Sequence, residues 1–85
     1  MAGKPRSMYL DVYLRDAAQR VARGERPLTP GTFLSYQLRG WARTHEYQYR
    51  RPLLRALEAE VEAGRVVAVR SARGGVGYAP RVVAA

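Results

Sequence analysis

Eighty-five residues fit one domain around a single hydrophobic core. The composition, 47% apolar and 26% charged, is that of a folding chain and excludes wholesale disorder. The absence of cysteine excludes a disulfide framework and thiolate metal sites, and no run approaches the roughly 18 consecutive apolar residues of a membrane span. A formal net charge of +8 on so small a body makes a positive field that attracts polyanions, of which nucleic acid is the commonest. Fourteen of the fifteen basic residues are Arg, which suits bidentate contacts to phosphate or guanine and is also what a GC-rich genome produces.

In chain order, residues 1–7 read as a flexible N-terminal arm carrying Lys4 and Arg6. Because no signal-like apolar run follows it, the expected location is the cytoplasm, at the nucleoid in a bacterial or archaeal host. Ser7 is placed to cap a first helix over residues 8–23, where Leu10, Tyr13, Leu14, Ala17 and Val21 recur at helical spacing and form one buried stripe. Met8, Tyr9 and Val12 fall off that stripe. They either form a homodimer contact through helix 8–23 or wrap over the edge of the same core. Gly24, followed by Pro27, supplies the stop.

The stretch 28–34 has two readings: Thr29-Pro30 as N-cap and first helical residue, or Gly31 to Leu34 as a short extended piece. By either reading a second helix covers 35–43, with Leu34, Leu38, Trp41 and Ala42 facing inward, Trp41 as a core anchor, and Gly40 weakening it locally. Thr44-His45-Glu46 then reads as a tight turn that caps a third helix over 46–63. Pro52 is expected to fall within about the first turn of that helix, where a missing N–H costs little. Leu53, Leu57, Leu54 and Val61 face the core, while Gln48, Arg51, Pro52, Arg55 and Ala59 lie outside.

Arg39, Arg43, Arg50, Arg51 and Arg55 stand against one acid, Glu46, and Glu58, Glu60 and Glu62 follow at once. A helix with a basic start and an acidic end opposes its own macrodipole, which points to a use other than stability; the bland reading is a solvated charged surface. Gly64 ends the helix. Residues 65–70 (RVVAVR) have the β-branched content of a strand, 71–75 supply turn residues, and 76–79 return antiparallel, with Val67, Val69 and Tyr78 as packing residues and Pro80 closing the element. The result is a hairpin with Arg70 and Arg73 near its tip, followed by a C-terminal tail over 81–85.

The expected fold is therefore mainly α with a small β-hairpin. The helix of Leu34, Leu38, Trp41 and Ala42, the 44–46 turn, the helix of Leu53, Leu54, Leu57 and Val61, and the run EAGRVVAVRSARGGVGYAP together resemble the winged helix-turn-helix family over residues 8–80, a three-helix core plus wing. What the resemblance implies is a transcriptional regulator that binds double-stranded DNA. Helix 46–63 would lie in the major groove with Gln48, Arg51 and Arg55 at base edges. Arg43, Tyr47, Tyr49 and Arg50 would reach phosphates, and wing 66–79 would set Arg70 and Arg73 on the backbone or in a neighbouring minor groove.

No enzyme, cofactor or metal is expected. The chain has one histidine, His45, and its acids cluster apart from any nucleophile and base. The run Gly74 to Gly77 joins two strands and opens no helix, unlike a phosphate loop. Two alternatives are open to the same residues: a protein-binding adaptor or inhibitor of the same fold, and an RNA- or ribosome-binding module using Tyr36, Tyr47 and Tyr49 as stacking platforms.

Overall fold

A computed structural model of the chain describes residues 9–38, 43–70 and 73–81, and of residues 43–47 only the helical backbone. The elements run α1 (Leu10–Ala22), α2 (Pro30–Gln37), α3 (Arg43–Glu62), β1 (Val66–Arg70) and β2 (Val76–Pro80). Among the described residues the fold is mainly helical, three helices and one antiparallel hairpin, compatible with a winged-helix-like arrangement. Among the described residues no helix is long and apolar enough to cross a membrane.

Helix α1 buries Leu10, Tyr13 and Ala17, with Leu14 half-buried. The expected stripe is one turn too long: Val21 is 43% exposed, because α1 has passed the edge of the core by its last turn. Tyr9 stands at the N-cap without a side-chain cap bond, and Ser7 lies outside the described residues. Both α1 and α3 stop in the same way. Gly24 (φ 82°) and Gly64 (φ 81°) adopt left-handed conformations that a Cβ disfavours, and their N–H groups donate to Val21 and Val61. The next N–H groups, of Glu25 and Arg65, close back on Arg20 and Glu60, so each helix ends in a Schellman motif.

Helix α2 follows the capped reading of the 28–34 segment. Thr29 is extended, its Oγ1 accepts from the Thr32 N–H at 3.3 Å, and Pro30 takes the first helical position, where it lacks only an N–H that would be unpaired anyway. The helix therefore begins five residues before Ser35 and ends at Gln37, with Leu38 as C-cap. Phe33, Leu34 and Leu38 are buried; Trp41 and Ala42 lie outside the described residues.

The turn expected at Thr44-His45-Glu46 is part of α3, which is helical from Arg43. Pro52 is thus the tenth residue of a 20-residue helix and not part of its first turn. It cannot donate to the Gln48 carbonyl, and a proline inside a helix costs about 3 kcal/mol. Leu53 and Leu57 are fully buried and hold α3 against the core, while Leu54 and Val61 are half-buried.

In the hairpin Ala68 lies opposite Tyr78, Val66 opposite Pro80 and Arg70 opposite Val76, with the Arg81 N–H closing on the Arg65 carbonyl at the base. The most buried residue of β1 is Val66, which the sequence reading did not single out; Val67 and Val69 are half-buried and Tyr78 is buried as expected. A two-stranded hairpin is marginal alone, so its attachment decides its stability. That attachment is polar at its centre. The buried Tyr13 hydroxyl donates to the Leu28 carbonyl and accepts from the Tyr78 N–H at 2.8 Å.

Beside this bridge Gly77 lies so close to the 27–28 segment that a Cβ on it would sit 2.6 Å from the Pro27 carbonyl oxygen. Aromatic edges complete the core: Phe33 receives Tyr13 at 5.1 Å and Tyr9 at 6.5 Å, and Tyr9 meets Tyr49 at 5.2 Å. Tyr9 thus wraps over the edge of this chain's own core. Of the three off-stripe residues Val12 is exposed and Met8 lies outside the described residues.

Three outcomes follow for stability. Tyr13→Phe orphans a partly buried carbonyl and a buried N–H and is expected to cost about 1–3 kcal/mol in urea unfolding. Burial pushes the Tyr13 phenol from 10.0 up to about 12, partly offset by the Tyr78 N–H. The unfolded chain then releases its proton first, so this contribution is whole below pH 10 and is lost as pH rises towards 12. The wild type should lose more stability than Tyr13→Phe between pH 9 and pH 11.5. Gly77→Ala pushes two backbone segments apart and should cost about 1–3 kcal/mol, read as a lowered thermal midpoint.

Candidate nucleic-acid interface

Going round α3 at about 100° per residue, three faces succeed one another. Leu53 and Leu57 point into the core. Arg50, Leu54 and Glu58 line an open groove of about 440 Å³, whose other walls are Thr29, Pro30 and Gly31 at the start of α2 and Gly75, Val76 and Tyr78 of the hairpin. Arg51 and Arg55 come next, one residue beyond Arg50 and Leu54, and with Gln48, Pro52 and Ala59 they form the exposed face. The base-edge set Gln48, Arg51 and Arg55 is accordingly on one solvent face of a single helix. The β2 side of the wing shares a groove with that same helix.

Arg50 serves the groove more than the outer face. Its guanidinium lies over Gly31, so near that a Cβ there would come within 2.8 Å of the Nη2 atom. Tyr49, expected to reach phosphate, is half-buried with its ring against Tyr9. Arg43 and Tyr47 have side chains outside the described residues. On the hairpin Arg70, at the end of β1, and Arg73, in the turn that follows, are exposed. The Arg70 carbonyl accepts from Arg26 Nη1 at 3.4 Å, which brings a third exposed guanidinium to that end of the wing. The sequence reading missed Arg26 because 44 residues separate it from Arg70 and nothing local marks the contact.

The ion pairs are distributed unevenly. Asp16 and Glu25 hold Arg20 at 2.9 and 3.4 Å, Glu25 also holds Arg23 at 3.0 Å, and Glu60 holds Arg65 at 2.7 and 2.9 Å. The hydrogen bond from Arg23 keeps the Glu25 carboxyl below its ordinary value, and Glu60 raises Arg65 above its own. Among the described residues, Arg51, Arg55, Arg70 and Arg73 have no acidic partner. Glu58 faces the groove beside Tyr78, whose phenol is raised first by burial and then by that carboxylate's charge.

Among the described residues no three His, Cys, Asp or Glu side chains gather closely enough to hold a metal ion. What the surface offers is hydrogen-bond donors of fixed positive charge: planar guanidinium forks matched to phosphate and to the guanine edge. No protein-family model, no curated protein and no solved structure matches this chain.

Proposed function

We propose that this chain is a small, non-enzymatic DNA-binding protein, a transcriptional regulator that lays the outer face of α3 in the major groove and its hairpin against the backbone or an adjacent minor groove. The observation that carries the reading is the division of the arginines. Arg20, Arg23 and Arg65 are occupied by acids, whereas Arg51, Arg55, Arg70 and Arg73 are exposed and, like Arg15, Arg26 and Arg81, make no ion pair among the described residues. Unpaired guanidinium groups on an exposed helix face and a neighbouring hairpin give a surface for a polyanion.

In this reading Arg51 and Arg55 contact guanine O6 and N7, and Gln48 contacts adenine N6 and N7. Arg70, Arg73 and Arg26 bind phosphates and fix the register without reading bases. Duplex DNA is preferred over unpaired RNA because Tyr49, one of the tyrosines that would stack on bases, is engaged by Tyr9, which leaves Tyr36 as the exposed aromatic among the described residues.

Selection of duplexes by the purified protein, followed by titration at several salt concentrations, tests the reading. Arg51→Ala and Arg55→Ala are expected to lower affinity for the selected duplex by about 1–3 kcal/mol each, with little effect on random DNA and none on the thermal midpoint. Arg73→Ala should weaken all duplexes alike and make the dependence on salt shallower by about one phosphate contact. Failure to prefer any duplex over random DNA would remove the proposal, and a protein partner retained through nuclease and high salt would replace it with the adaptor reading.

A further inference from the structure

The costliest local feature of the fold is Pro52, and the packing gives nothing back for it. It stands in mid-helix, where it deprives the Gln48 carbonyl of its helical donor. Its ring is exposed and is absent from the residues packed on the core. A helix of this length held by Leu53 and Leu57 needs no proline at an exposed position to bury them. Local rules broken without a compensating gain concentrate at functional sites, and Pro52 lies on the surface that carries Gln48, Arg51 and Arg55. Among those polar groups the proline ring is a rigid patch of hydrocarbon.

In the major groove one base feature is met by hydrocarbon rather than by a donor or acceptor: the C5-methyl group of thymine. Gln48 precedes Pro52 by four residues, so the two side chains emerge side by side, about 5–6 Å apart at Cβ. An amide suited to adenine N6 and N7 therefore adjoins an apolar surface suited to a thymine methyl.

We propose that Pro52 is a specificity-determining residue that packs on a thymine methyl group, so that Gln48 and Pro52 together select an A·T step beside the guanines taken by Arg51 and Arg55. This rests on the DNA-binding reading above and deepens it.

The test uses the selected duplex with each thymine replaced in turn by deoxyuridine, which removes the methyl and leaves every hydrogen bond in place. At one position the wild-type protein should bind the uracil duplex about fourfold more weakly, the ratio for one buried methyl group. Pro52→Ser should bind the two duplexes equally and unfold at a higher temperature than the wild type, whereas Pro52→Val, which restores hydrocarbon without a proline, should recover the preference for thymine.

The inference is overturned by a selected site that lacks thymine, by uniform binding of all the uracil duplexes, by a preference that persists in Pro52→Ser, or by its absence in Pro52→Val, which would trace the effect to the proline's backbone and not to its hydrocarbon. Each of these leaves duplex selection intact. The DNA-binding reading itself fails separately, when no duplex is preferred over random sequence.

Discussion

One phenolic hydroxyl ties three separate parts of this fold together. Tyr13 reaches from the first turn of α1 to the loop that precedes α2 and to the second strand of the hairpin, and its oxygen serves both, as donor to Leu28 and as acceptor from Tyr78. Each of those backbone groups would be buried without a partner if the hydroxyl were missing, a cost comparable to a sizeable share of a small domain's stability. Gly77 extends the same contact by letting two backbones approach where any side chain would part them. Because Gly75, Val76 and Tyr78 wall the groove beside α3, the interaction that holds the hairpin also sets where the wing stands relative to the arginine face.

Charge is organised along different lines from those the order of residues implies. With α3 beginning at Arg43, Arg50, Arg51 and Arg55 occupy the middle of the helix, too far from either end for the macrodipole to act on them. The acids at its C-terminal end keep their unfavourable position, but Glu60 is relieved by Arg65 just past the Schellman turn. Surface pairs of this kind contribute at most about 1 kcal/mol. Their larger effect is on the field, because they neutralise arginines at the α1 and α3 termini, whereas Arg51, Arg55, Arg70 and Arg73 make no ion pair among the described residues.

The elements were largely legible in the sequence because their signals are local. Helical spacing marked Leu10, Tyr13 and Ala17 as one face and Leu53 and Leu57 as another, Gly24 and Gly64 marked both stops, and β-branched residues followed by Gly74-Gly75 marked the hairpin. The exposed face of α3 was legible for the same reason, since core positions and outer positions are fixed together by one period. Boundaries were not. The capping strength of Thr29-Pro30 against an extended Gly31 to Leu34, and the helical continuity of Thr44 to Glu46, depend on what those segments pack against, and propensity over a few residues decides neither.

By itself the sequence determined the helical class, the excess of positive charge and the helix face on which Gln48, Arg51 and Arg55 emerge, because composition and period act over neighbouring residues. Only the tertiary structure decided which arginines are neutralised, that Tyr9 and Tyr49 belong to the core, that Arg26 joins the wing, and that Pro52 is interior to its helix. Each depends on groups brought together, or on an element's length extended, by contacts between distant parts of the chain, and the energy of such contacts is written in no local stretch of residues.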